Sequence, residues 1–196
     1  MDYNNSPLRI KDGDDILTIS YDDVVKYHGY SMIGGVALAY KIMLWGFPKL
    51  TDEIPERGHF SFLSGIGLGG QGVIDATEMV MRVRSKGTLD LDLSKVQDKP
   101  APPTPGGKGR YYFELGYKDK ILCLAVKDGV VPKDFYYYSE LPAKRKAAGE
   151  PMSEEDLAGL RRVRHELADA IMNNAPDDLL QVIEIKQKKE TFHEQN

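Results

Sequence analysis

His28 stands in the segment His28-Gly29-Tyr30-Ser31-Met32, which the pattern marks as a junction between two helices. A neutral imidazole ligates zinc, nickel or iron. The first amides of the following helix have no partner within that helix, so polar groups gather at such a junction. A second segment, Gly65-x-Gly67-x-x-Gly70 with Gly69 and Gly72 beside it, follows a candidate strand and opens a candidate helix. Its spacing is that of the dinucleotide fingerprint, with Asp90 and Asp92 downstream in the acidic position. Bare amides at a helix start favour a phosphate. Each segment also has a plainer reading. A lone histidine caps or packs, and a glycine run can be a flexible strand-to-helix connection.

The elements that must position these residues follow from periodicity and caps. Ser20 and Asp23 sit at a capping-box spacing and open a helix over 20–27, which Gly29 can end in a left-handed conformation. A second helix over 31–45 is apolar around most of its circumference and is therefore buried. Gly34 and Gly35 near its start weaken the helix and imply that a backbone or a ligand comes close. Gly46-Phe47-Pro48 ends it. A strand over 59–63 leads through the glycines to a third helix over 73–86, with Asp75 in its first turn and Glu78 paired to Arg82.

Leucines 89, 91 and 93 alternate with aspartates in a half-buried strand. Prolines 100, 102, 103 and 105 make 99–109 a loop or linker. Segments 110–117 and 120–127 form a hairpin around Lys118-Asp119, and the second strand, apolar on both faces, lies centrally. Tyr136, Tyr137 and Tyr138 suit an edge strand or an interface. Ser153 with Asp156 opens a helix over 154–172, and 179–185 closes the domain. Arg161, Arg162, Arg164 and His165 read as a solvated helix face. Helices and strands do not alternate regularly, which predicts an α+β fold: helices on a mainly antiparallel sheet, with a helical C-terminal extension.

Composition narrows the function classes. The chain has 196 residues, of which 41% are hydrophobic, enough for one compact core. A net charge of -4 lacks the basic footprint of a nucleic-acid binder. The most apolar stretch, 31–47, is interrupted by Lys41 and falls short of the roughly 20 residues that span a bilayer, so no membrane association is expected. No export signal opens the chain, and a cytoplasmic location is the expectation. Cys123 is the single cysteine, so no intramolecular disulfide and no all-cysteine zinc cage can form. Within an apolar strand it reads as an inert small hydrophobe.

The segment around His28 resembles the signature of the FmdE-like family of formylmethanofuran dehydrogenase components, which reads His-Gly-His-x-Cys-Pro-Gly at a helix start and later Cys-x-x-Asp-Ala at another. Here the two stretches read His28-Gly29-Tyr30-Ser31-Met32-Ile33-Gly34 and Gly72-Val73-Ile74-Asp75-Ala76. His28, Gly29, Gly34, Asp75 and Ala76 match; Tyr30 replaces a histidine, and Met32 and Gly72 replace cysteines. The resemblance implies a metal- or ligand-binding accessory protein associated with a molybdenum or tungsten oxidoreductase complex of one-carbon metabolism. It also implies an intertwined homodimer.

A thioether is a weak ligand and glycine offers none, so the family's ordinary metal site cannot form at the matched positions. Two substitutes remain open. A transition metal such as zinc could be held by His28 with His59, Cys123 or Asp75. Alternatively, the pocket holds an organic ligand through His28, Tyr30, Met32, Gly70, Gly72 and Asp75. Two further readings stand beside these: a nucleotide-binding enzyme using the loop 65–72, and a non-catalytic dimeric scaffold. The expected layout is an N-terminal arm (1–19), a core (20–140), the helical extension (141–186) and a loose tail (187–196).

Overall fold

The computed structural model describes residues 6–188. An antiparallel hairpin, β1 (Leu8–Asp12) and β2 (Asp15–Ile19), turns at Gly13, whose φ is +68°. Helices α1 (Tyr21–His28) and α2 (Ile33–Leu50) follow, then β3 (Phe60–Ser64), α3 (Gln71–Met81) and the short β4 (Leu89–Asp90). The hairpin β5 (Tyr112–Tyr117) and β6 (Lys120–Val126) precedes α4 (Lys133–Ala148), α5 (Glu154–Asn173), the single turn α6 (Pro176–Leu179) and β7 (Leu180–Gln187). The main sheet has the order β4-β3-β5-β6-β7 and is antiparallel except between β3 and β4. The fold is α+β, as the patterning requires.

Side-chain alternation splits the sheet into two faces. Phe62, Phe113, Leu115, Leu122 and Leu124 belong to the main core, together with the apolar residues of α2. Leu63, Tyr112 and Cys123 point the other way and pack with Val96 and Ala101. Strand β6 is therefore buried on both faces between β5 and β7, the central position its composition demands.

Both expected capping boxes are present. The Ser20 hydroxyl accepts from the Asp23 amide while the Asp23 carboxylate accepts from the Ser20 amide, and Ser153 and Asp156 repeat the arrangement on α5. Helix α2 runs past its expected end, through Gly46-Phe47-Pro48 to Leu50. A Cβ at Gly46 would lie 2.5 Å from Leu115, so this glycine lets the sheet close onto the helix. Glu78 does not pair with Arg82. It accepts from the amides of Arg84 and Ser85, while Arg82 reaches Asp12.

The C-terminal segment is no appendage. Leu167, Ala168 and Ile171 of α5 belong to the main core, and β7 adds a strand to the sheet. The tyrosines 136–138 lie on α4, a helix that runs through Pro142, and not on a strand. The residues expected as a loose tail begin with Gln187, which ends β7, and 189–196 lie outside the described residues. The N-terminal arm is the β1–β2 hairpin from Leu8 onward; residues 1–5 lie outside the described residues.

Candidate functional site

Helix α3 starts at Gln71, two residues earlier than its apolar pattern indicates, so Asp75 lies in its second turn. There its carboxylate accepts from two side chains. His28 Nδ1, at the last residue of α1, lies 2.7 Å from Asp75 Oδ2, and Gln71 Nε2 donates to Asp75 Oδ1 at 2.6 Å. The carboxylate oxygen accepts, so Nδ1 is the donor of this pair. The His28 side chain is 5% exposed, and its Nε2 is buried with no partner among the described residues. The pair fastens α1 to α3 and fixes Gln71 at the start of α3.

The openings of α2 and α3 meet backbone to backbone. A Cβ at Gly72 would stand 2.9 Å from both the Met32 carbonyl oxygen and the Val36 nitrogen, and one at Gly35 would stand 3.2 Å from the Val73 nitrogen. The close approach implied by Gly35 is thus that of another backbone, whereas a Cβ at Gly34 would meet the Leu167 side chain at 3.2 Å. Where the family signature has a cysteine, Gly72 is required by the packing. Neither helix receives a side-chain cap: Met32 precedes α2 and Gly70 precedes α3.

Beside this contact lies a cavity of about 310 Å³, at the lower end of the range of small-molecule sites, about 300–1,000 Å³. Met32, Gly70, Gln71 and Gly72 line one side. Leu38, Val126, Phe135, Leu167 and Ile171 supply an apolar wall, and Thr104 and Pro105 of the proline-rich loop close another side. That loop is folded onto the domain, with Thr104 buried and Pro103 bridged to Arg110. Arg164 of α5 is the one charged residue among the described residues that line the cavity. Burial lowers its pKa below the ordinary arginine value, and its guanidinium has no hydrogen-bond or ion-pair partner among the described residues. Burial also raises the pKa of the Tyr111 phenol, which lines the cavity as a neutral hydroxyl.

Of the six residues read from sequence as a pocket, Met32, Gly70 and Gly72 line the cavity, and His28 and Asp75 are joined next to it. Tyr30 is 63% exposed and does not line it. Of the candidate metal ligands, Asp75 is joined to His28, but His59 and Cys123 are not brought to them. His59 precedes the first residue of β3, beside Tyr117, whereas the glycine loop and cavity lie past its last residue, about 16 Å further on at 3.3 Å per residue. Cys123 faces the opposite side of the sheet from the main core, and burial raises its thiol pKa. No group of three histidine, cysteine, aspartate or glutamate residues able to hold a metal ion occurs among the described residues. The donor set does not fit the transition-metal centre that the resemblance implies.

Arg164, Tyr111 and Phe135 were not legible as site residues. One signal existed for Arg164. It falls at helical spacing between Leu160 and the buried Leu167, Ala168 and Ile171, on the apolar stripe of α5, whereas Arg161 and Arg162 lie on the exposed face.

No helix among the described residues is long and apolar enough to cross a membrane. No protein-family model and no curated protein matches the chain.

Proposed function

We propose that this chain is a binding protein for a small organic molecule, held in the cavity where the openings of α2 and α3 meet. The observation that carries the reading is the cavity itself, whose wall includes Met32, Gly34 and Gly72, three positions of the partial signature. His28 and Asp75 act beneath it as a fixed hydrogen-bonded brace, not as metal ligands. On the resemblance to the FmdE-like family, the protein is an accessory to a molybdenum or tungsten oxidoreductase of one-carbon metabolism. On the same ground it forms a homodimer, and the exposed Val182 and Ile185 on the edge strand β7 support a contact between copies.

Thermal unfolding across a panel of small acids, amines, neutral compounds and nucleotides tests the binding. A true ligand stabilises the fold by RT ln(1 + [L]/Kd), about 2.7 kcal/mol at 100 Kd. A panel with no saturable stabilisation overturns the reading. Sedimentation of the full chain tests the dimer.

A second reading, nucleotide binding, has one specific observation in its favour. β3, the glycine loop, α3 and β4 form a parallel strand–helix–strand unit, with the loop between the first strand and the helix. Against it, the Gly65 amide and carbonyl are bonded to Tyr112 and Arg110 of the neighbouring chain segment. Asp90, the acidic residue of the pattern, is paired with Lys95. Stabilisation by NAD, FAD or ATP in the same panel would favour this reading over the first.

A further inference from the structure

We infer that the molecule bound in the cavity is an amphiphilic anion: one carboxylate or phosphate on an apolar body. This inference rests on the cavity's being the ligand site and goes on to name the ligand's chemistry. Three observations converge on it.

The first is Arg164. Arg164 is half-buried, and a guanidinium that loses part of its hydration without gaining an acceptor is left with donors to satisfy. The other arginines that the fold draws in are satisfied. Arg57 donates to Asp12 and to the Met79 and Val80 carbonyls, and Arg145 pairs with Glu150 and Asp156. Arg164 alone lines a cavity, and no carboxylate of the described residues lines it too. An anion entering there supplies the missing acceptor, in the two-pronged geometry that carboxylates and phosphates share.

The second is the neutral donors nearby. Gln71 and Gly72, both in the cavity wall, carry the first amides of α3, which no described side chain caps. The Tyr111 phenol and Ser139 add hydroxyls to the wall. All of these can donate, and the partial positive charge of a helix start adds to the attraction for an anion.

The third is the remainder of the wall. Leu38, Val126, Val130, Phe135, Leu167 and Ile171 offer hydrocarbon and no acceptor side chain. A fully hydrated inorganic ion would leave this surface unused, and a neutral hydrocarbon would leave Arg164 unsatisfied. A ligand with a charged end and an apolar body meets both requirements.

Isothermal titration of the full-length protein with octanoate, octyl phosphate and 1-octanol tests this, using Arg164→Met, Arg164→Lys and Arg162→Met variants. The wild type should bind at least one of the two anions about tenfold or more tightly than octanol, the ratio expected of charge-assisted hydrogen bonds. Arg164→Met should remove that preference while keeping octanol affinity, and Arg164→Lys should restore part of it. Arg162→Met, which deletes an exposed charge paired with Glu166, should change nothing. The stronger of the two anions identifies the head group. Equal affinity for octanol and both anions overturns the inference and leaves the cavity as a neutral-ligand site. An equal loss in Arg162→Met also overturns it, by showing unspecific charge attraction. Failure of all three probes to bind overturns the inference and the ligand-site reading together.

Discussion

His28 and Asp75 are 47 positions apart in the chain and 2.7 Å apart in the fold. The bond ties the last residue of one helix to the second turn of another, and Asp75 passes the constraint on to Gln71 in the cavity wall. The carboxylate holds the imidazole in place, whatever ligand occupies the neighbouring space. His28→Ala removes a buried hydrogen bond to a carboxylate and leaves a void, at a cost of about 2–3 kcal/mol. Asp75→Asn keeps the shape but has one acceptor oxygen for two donors, and costs about 1–3 kcal/mol. Urea unfolding reads both as a lowered midpoint at constant slope. A His28→Ala midpoint equal to that of the wild type would mean the pair carries no weight.

Gly72 and Gly69 belong to the same glycine run but should respond oppositely to the same change. A methyl at Gly72 meets the α2 backbone, which cannot give way without separating the helices, whereas one at Gly69 meets nothing within 4 Å. Gly72→Ala should therefore cost about 1–3 kcal/mol through overpacking. Gly69→Ala should be neutral or slightly stabilising, by up to about 1 kcal/mol, because it restricts the unfolded chain. Gly72→Cys, which restores the residue of the family signature, should be destabilised at least as much as Gly72→Ala. A stable Gly72→Cys protein that gains stoichiometric zinc would sink both the packing argument and the claim that the metal site is lost.

The parts of the fold that sequence made legible are those decided locally. Ser20 with Asp23 and Ser153 with Asp156 announce helix starts because the cap is a four-residue event. The apolar run of β6 announces a central strand because both its faces need cover. Long-range packing decides the rest. Tyr136, Tyr137 and Tyr138 favour strands on their own, and Pro142 argues against a helix. Yet α4 forms because Leu141 buries and α4 packs against α5 to make a helical hairpin. The site divides in the same way. The paired helix openings could be read from glycines and a partial signature, whereas Arg164 acquires its meaning only when α5 is laid across the start of α2.

Acid should loosen the helix starts first. Hydrogen bonds from Ser20 lower the Asp23 pKa, and those from Ser153 lower that of Asp156. For Glu78 desolvation works upward, but the bonds from Ser85 and Arg84 outweigh it and the net shift is downward. A carboxylate with a depressed folded-state pKa contributes stability that is complete above its unfolded value, about 3.9 for aspartate and 4.3 for glutamate. That contribution fades as pH falls through the lower folded value. Stability measured by urea at stepwise pH should thus be flat with respect to these groups above about pH 5 and decline below about pH 4. In Ser20→Ala and Ser153→Ala the decline should be shallower, from a lower plateau. An unchanged acid slope in both variants would show that the caps do not set it.

Cys123 offers a direct check on the metal ligands read from the sequence. Its thiol is fully buried on the sheet face opposite Leu122 and Leu124, with Tyr112 and Leu63 in the same cluster, and burial raises its pKa. The thiolate is the species that both alkylates and ligates. Iodoacetamide at neutral pH should therefore leave the native protein unmodified, and it should label Cys123 once urea has unfolded the chain, as read by intact mass. Cys123→Ala should bind any cavity ligand with unchanged affinity, because Cys123 faces away from the main core. Elemental analysis of the untagged wild type should find no stoichiometric transition metal, and chelator treatment should leave the thermal midpoint where it was. Stoichiometric zinc lost together with stability, and lost again in Cys123→Ala, would restore the ligand set of His28, His59 and Cys123 that the fold separates.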